Sequence, residues 1–143
     1  MRVMSVVGNR PQFVKAAPLC RALRRDCEEI LVHSGQHYDP ELADLFFDEL
    51  GIPEPDHALG IGQGTPLQQL AGMLTGIEDL IRSERPDAVL VYGDTTTTLA
   101  GALAAAKTAT PLAHVEAGLR SFDKSMPEEQ NRVVTDHLSG MLL

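Results

Sequence analysis

The sequence predicts an α/β domain built as a doubly wound parallel sheet, and three observations carry that expectation. Short apolar runs alternate with segments of helical periodicity, the pattern of βαβ units. The runs lack polar alternation, as strands covered on both faces do. Two of them, 88–94 (AVLVYGD) and 112–116 (LAHVE), end in Asp94 and Glu116, and an open α/β sheet binds ligands in the crevice beyond the carboxyl ends of its strands.

In chain order, strands are expected at 3–7, 30–33, 88–92 and 112–115, with a weaker candidate at 57–61. Phe13, Ala16, Cys20, Leu23 and Cys27 mark one helical stripe, and Leu67, Leu70, Leu74, Ile77 and Ile81 another. Thr65 and Pro66 look like a cap followed by a first-turn proline, and Arg85 and Pro86 stop that helix. The segment 41–50 reads as a further helix closed by Gly51, Ile52 and Pro53, and alanine-rich 99–107 as a helix packed close to the sheet. Pro127, Glu128 and Glu129 open another helix. The final residues, 140–143, read as the start of a sixth strand, so the chain is expected to be the N-terminal part of a longer protein.

A chain of 143 residues can bury a core as one domain without disulfides or metals. Its net charge of −8, with no basic cluster beyond Arg24 and Arg25, argues against nucleic acid and against an anionic membrane surface. No apolar run approaches the ~20 residues of a membrane span. Cys20 and Cys27 lie two helical turns apart, too far for a disulfide and in no metal-binding spacing; they read as small core residues of a reduced, cytoplasmic protein. The histidines never pair as H-x-x-H or with cysteine, so no metal site is expected.

Residues 8–15 (GNRPQFVK) join the first strand to the first helix, where helix N-terminal N–H groups and the dipole favour anions. The stretch is neither G-x-G-x-x-G nor a P-loop, and Arg10 and Lys15 either supply positive charge to a ligand or sit solvated on a plain turn. In 93–98 (GDTTTT), Asp94 or Thr95 is a good N-cap, and the hydroxyls also suit a sugar or phosphate. His114 sits within an apolar run, as satisfied core histidines do, while Glu116 follows it at the strand end. Ser125 and Glu128 fit a capping box, which leaves Glu129 as an exposed first-turn acid. Gln36 and His37 follow the second strand toward the same edge, either as a polar loop or as ligand contacts; the glycine-rich 60–64 reads as a loop.

Together, GNRPQFVK at 8–15, SGQHY at 34–38, GDTTTT at 93–98, HVEAGLR at 114–120 and MPEEQNR at 126–132 resemble the UDP-N-acetylglucosamine 2-epimerase family in order and spacing across nearly the whole chain. The RPQF form is most similar to a branch that also contains epimerases of UDP-2,3-diacetamido-glucuronic acid. The resemblance implies a Rossmann-like N-terminal domain of a two-domain enzyme similar to B-type glycosyltransferases, with the UDP-binding half lying outside these residues. It implies that Asp94, Glu116 and Glu128 are the catalytic carboxylates, and that Arg10, Lys15, Gln36, His37, Thr95 and Arg120 bind substrate. It further implies epimerisation at C2 of a UDP-sugar without a cofactor, and a cytoplasmic homodimer in polysaccharide biosynthesis. The isolated 143 residues are expected to be inactive, and a stand-alone sugar-nucleotide-binding or dimerisation module is the rival reading.

Overall fold

The apolar runs form strands that pair in parallel throughout. The computed structural model describes residues 1–35, 51 and 53–143. In chain order the described elements are β1 (Arg2–Val7), α1 (Arg10–Asp26), β2 (Glu28–His33), β3 (His57–Ala58), α2 (Pro66–Glu84), β4 (Ala88–Tyr92), α3 (Thr96–Lys107), β5 (Leu112–Val115), α4 (Pro127–Leu138) and β6 (Met141–Leu142). They make one six-stranded sheet in the order β3-β2-β1-β4-β5-β6. The order reverses between β1 and β4, which is the doubly wound arrangement expected from the sequence. The predicted helix at 41–50 lies outside the described residues.

Period-two alternation sends neighbouring residues of each strand to opposite faces. Met4, Val6, Ile30, Val32, Val89 and Val91 pack against Met73, Ile77 and Ile81 of α2 and the alanines of α3. Val3, Val7, Leu31, Leu90 and Tyr92 face Phe13, Ala16, Ala17 and Cys20 of α1. The alanines let α3 lie close: a Cβ on its Gly101 would stand 2.7 Å from Val91 Cγ1. This packing sets the turn that precedes α3 against the ends of β1 and β4.

The structure corrects some boundaries. β2 begins two residues earlier than its apolar run, at Glu28, because Glu29 is buried with its charge satisfied. Its carboxylate accepts from Ser5 Oγ at 2.7 Å and from Arg24 Nε at 2.8 Å. Helix α1 ends at Asp26, and Cys27 is its half-buried, extended C-cap; only Cys20 is a core residue. The weak third strand is ladder-paired only at His57–Ala58 and ends before glycine-rich 60–64, although the Ile61 N–H still donates to the Ser34 carbonyl at 3.0 Å.

Candidate functional site

Two strand-to-helix turns meet where the sheet order reverses, and Gln12 ties them together. At the end of β1, the Asn9 side chain caps α1 by accepting from the Gln12 N–H. The buried Gln12 amide oxygen accepts from the Gly8 N–H at 2.7 Å, and its nitrogen faces the Tyr92 carbonyl at 2.8 Å, Thr95 Oγ1 at 2.9 Å and Thr98 Oγ1 at 3.0 Å. At the end of β4 the chain turns through Gly93, whose φ of +66° favours glycine. Thr95 then caps α3 in a reciprocal box with Thr98. The threonines are thus held as capping groups, and Asp94 keeps its side chain for another partner.

That partner is Arg132 of α4, whose Nη2 pairs with Asp94 Oδ2, while Asn131 Nδ2 donates to the Asp94 carbonyl at 2.9 Å. Glu116, at φ +68° just past β5, pairs with Lys15 of α1. A Cβ on Gly93 would lie 3.4 Å from Lys15 Nζ and 3.5 Å from Glu116 Oε2, so this second pair lies against the turn leading into Asp94. Burial works against the Arg132 charge, but Asp94 first, then Glu129 and Glu116, outweigh it and raise its pKa. Asp94, Glu116, Lys15 and Arg132 therefore form one alternating cluster at the carboxyl edge.

Glu128 stands one helical turn before Arg132 on α4, a spacing that places both on one helix face. It is exposed, and its side chain makes no hydrogen bond or ion pair among the described residues. Arg10 is exposed at the first position of α1. Gln36 and His37 lie outside the described residues. Arg120 is directed to Asp136, with Nη1 2.6 Å from Oδ2. Among the described residues no group of three or more His, Cys, Asp or Glu could hold a metal ion, and no helix is long and apolar enough to cross a membrane. A hollow of about 690 Å³ beside Met1, Leu19, Leu23, Leu112 and Leu143 is lined by none of the candidate residues.

The start of α4 departs from the sequence expectation. Its N-cap is Met126, with no side-chain capping bond, so the Ser125–Glu128 capping box does not form. Ser125 instead donates through both its N–H (2.9 Å) and Oγ (2.7 Å) to Asp123 Oδ1, and these bonds lower the Asp123 pKa. Glu129 is not an exposed first-turn acid. It is 3% exposed, accepts from the Ser121 N–H at 2.9 Å and the Phe122 N–H at 3.1 Å, and pairs with Arg132 Nη1 at 2.8 Å. The Ser121 N–H is the main reason its carboxyl sits below the ordinary range, with burial opposing and the Phe122 N–H assisting. The loop amides need an acceptor, and the third position of α4 supplies it.

Beneath this cluster lies a buried polar group. His114 is fully buried, with Nδ1 2.6 Å from Asp136 Oδ1 and Nε2 2.6 Å from the Gly93 carbonyl. Asp136 Oδ2 also accepts from the Gly118 N–H at 3.0 Å. Burial raises the Asp136 pKa, but hydrogen bonds from Arg120, His114 and Gly118 together bring it below the usual carboxylate range. Gln12, Arg132 and Asp136 are residues that the sequence alone does not place in the site, and Glu129 is expected there only as an exposed acid. The available signal was the spacing of Glu128, Arg132 and Asp136, four residues apart and hence a stripe of charge along one face of α4.

A family model described as UDP-N-acetylglucosamine 2-epimerase matches residues 21–143. A UDP-N-acetylglucosamine 2-epimerase homolog of Methanococcus maripaludis is 56% identical over 99% of this chain and 40% of its own length. The UDP-2,3-diacetamido-2,3-dideoxy-D-glucuronate 2-epimerase of Pseudomonas aeruginosa is 51% identical over 99% of this chain and 41% of its own. The solved UDP-GlcNAc 2-epimerase of Methanocaldococcus jannaschii, in complex with UDP-GlcNAc and UDP, superposes with a TM-score of 0.93 at 48% identity, covering 97% of this chain and 39% of that one. The chain thus spans about 40% of the length of the curated relatives it matches. On the family match and these identities, the chain belongs to the UDP-N-acetylglucosamine 2-epimerase family.

Proposed function

We propose that the chain supplies one half of an enzyme that interconverts UDP-N-acetylglucosamine and UDP-N-acetylmannosamine without a nicotinamide cofactor. A second, UDP-binding domain then occupies the length that its relatives have beyond this match. The observation that carries the reading is the cluster at the switch point, where Asp94 pairs with Arg132 and Glu116 with Lys15. The C2 hydrogen of an N-acetylhexosamine has no adjacent carbonyl to stabilise a carbanion, so simple deprotonation is prohibitively uphill. Elimination avoids this: the proton leaves C2 as the C1–O bond to UDP breaks, giving a glycal. Re-addition of UDP with protonation on the other face inverts C2.

Each step uses groups of the kind present here. A carboxylate takes the C2 proton and a second acid/base group serves the opposite face, since one group does not readily reach both; Asp94, Glu116 and Glu128 are the candidates. A carboxylate also offsets positive charge growing at the ring, as in glycoside cleavage. Arg10 and Lys15 stabilise the departing diphosphate, and Gln36, His37, Thr95 and Arg120 contact the substrate. In this reading the full-length enzyme is a cytoplasmic homodimer in polysaccharide biosynthesis, does not bind nucleic acid, and the 143 residues alone are inactive because the diphosphate is held across two halves.

Amide substitutions test the assignment. In the full-length enzyme Asp94→Asn, Glu116→Gln and Glu128→Gln should each lower kcat by roughly 10²–10⁴-fold, far more than they lower the melting temperature. Parent-like turnover in any one of them removes that residue from the mechanism. The relative from Pseudomonas aeruginosa favours a second reading, an epimerase of UDP-2,3-diacetamido-glucuronic acid. Incubation with both UDP-sugars, followed by NMR of the anomeric signals, decides between the two by which one gives a 2-epimer.

A further inference from the structure

His114 faces two oxygens that only accept. The Gly93 carbonyl lies 2.6 Å from Nε2, and Asp136 Oδ1 lies 2.6 Å from Nδ1. The Asp136 carboxylate also takes Arg120 Nη1 at 2.6 Å and the Gly118 N–H at 3.0 Å on its other oxygen, an environment that favours its ionised form. A neutral imidazole has one N–H and would set a lone pair against one of these acceptors. We propose that His114 is an imidazolium paired with Asp136, and that this buried pair is the positioning element that fixes the Asp94 turn and helix α4 relative to each other. The proposal rests on the epimerase reading only for its kinetic consequence.

The pair acts at both ends. On the sheet side, His114 is in register with Val91, and its ring reaches forward to the Gly93 carbonyl, in the peptide that leads into Asp94. The Gly93 N–H already donates to the Val115 carbonyl at 3.0 Å, so both polar groups of Gly93 are tied to β5 or its side chains. On the helix side, Asp136 lies one turn beyond Arg132 and two turns beyond Glu128. Helix α4 has no side-chain N-cap; Asp136, Glu129, Asn131 and Arg132 tie it to the sheet and to the loop before it. His114 touches no reacting atom; it positions groups that do.

The proton state is read directly in the folded, ¹⁵N-labelled protein near neutral pH. Long-range ¹H–¹⁵N correlation, with signals assigned by their loss in His114→Gln, should show both ring nitrogens of His114 bearing protons. An unprotonated ring nitrogen overturns the proposal. Asp136→Asn should abolish the doubly protonated signature while the backbone amide spectrum keeps its folded dispersion; retention of the signature overturns the pairing. In the full-length enzyme, His114→Gln should lower kcat by roughly 10²-fold, the cost of a displacement of about 1 Å in reacting groups, with KM for UDP-N-acetylglucosamine little changed. If that variant does not fold, Asp136→Asn should show the same fall in kcat. Parent-like kcat in a folded variant overturns the positioning role. An unmodified enzyme that is inactive on every UDP-sugar instead refutes the epimerase reading, and the ring signals still decide the ion pair.

Discussion

Replacing Gly8 with alanine should destabilise the protein by about 2–3 kcal/mol, and the number follows from the space around one methyl group. Gly8 is buried at the end of β1, and a Cβ there would lie 2.2 Å from Thr97 Oγ1, 2.4 Å from Ser34 Oγ and 3.0 Å from Thr97 Cβ. The two hydroxyls are buried and hydrogen-bonded to each other at 2.8 Å, so the methyl must separate them. Losing that bond costs ~1 kcal/mol, and forcing a methyl into a filled site costs ~1–3 kcal/mol. Against this, alanine restricts the unfolded chain and returns ~0.4–1 kcal/mol. The sequence has no tryptophan, so far-UV circular dichroism in urea is the suitable assay. The double variant Gly8→Ala/Thr97→Ala should cost less than the sum of its parts, because removing Thr97 Oγ1 relieves the shortest contact. Parent-like stability of Gly8→Ala, or strict additivity in the double variant, would show that the Thr97 and Ser34 hydroxyls do not crowd a methyl group at this site.

Further outcomes are expected from single side chains. Burial holds His33 at about 4, below the ordinary ~6.5, so the unfolded chain takes up its proton first. Its contribution is complete above ~6.5 and is lost as pH falls toward the folded value, at most roughly 3 kcal/mol; His33→Leu should flatten urea-measured stability across that window. Glu129 has a lowered carboxyl pKa in the fold, so its contribution is present above the unfolded value of ~4.3 and is lost as pH falls through the folded one; Glu129→Gln should lessen this acid sensitivity while lowering stability at neutral pH. Burial first, and then the hydrogen bond and charge of Glu29, push the Cys20 thiol up to about 12. A chromogenic disulfide reagent should therefore modify Cys27 in the native protein and reach Cys20 only on unfolding.

The strands and most helices were legible because their signal is local. Apolar runs such as 88–92 and the stripe from Leu67 to Ile81 carry their periodicity within a few turns, and the reversal in strand order follows from the doubly wound class they define. The acids at strand ends were equally legible, since the position of Asp94 and Glu116 depends only on where β4 and β5 stop. What could not be read were the partners. Arg132 meets Asp94 from 38 positions away, and Asp136 meets His114 from 22 away. Each pairing depends on how α4 is set against the sheet, which no local pattern encodes. The same cause misplaced Glu129: its spacing suits a first-turn surface acid, yet the amides of Ser121 and Phe122 draw it inward. Glu29 likewise hid the start of β2, because an acid beside an apolar run reads as its boundary unless Arg24 and Ser5 are known to meet it.

Epimerisation at C2 by the proposed route removes the C2 proton and returns one from solvent, so hydrogen exchange at that carbon reports it. The full-length enzyme is incubated with UDP-N-acetylglucosamine in deuterium oxide, and the nucleotide sugars are followed by proton NMR. Proton removal at C2 predicts that UDP-N-acetylmannosamine accumulates carrying deuterium at C2, and that the C2 proton of the remaining substrate exchanges as the reaction reverses. Epimer that keeps its original C2 hydrogen, or no turnover of any UDP-sugar tested, contradicts it.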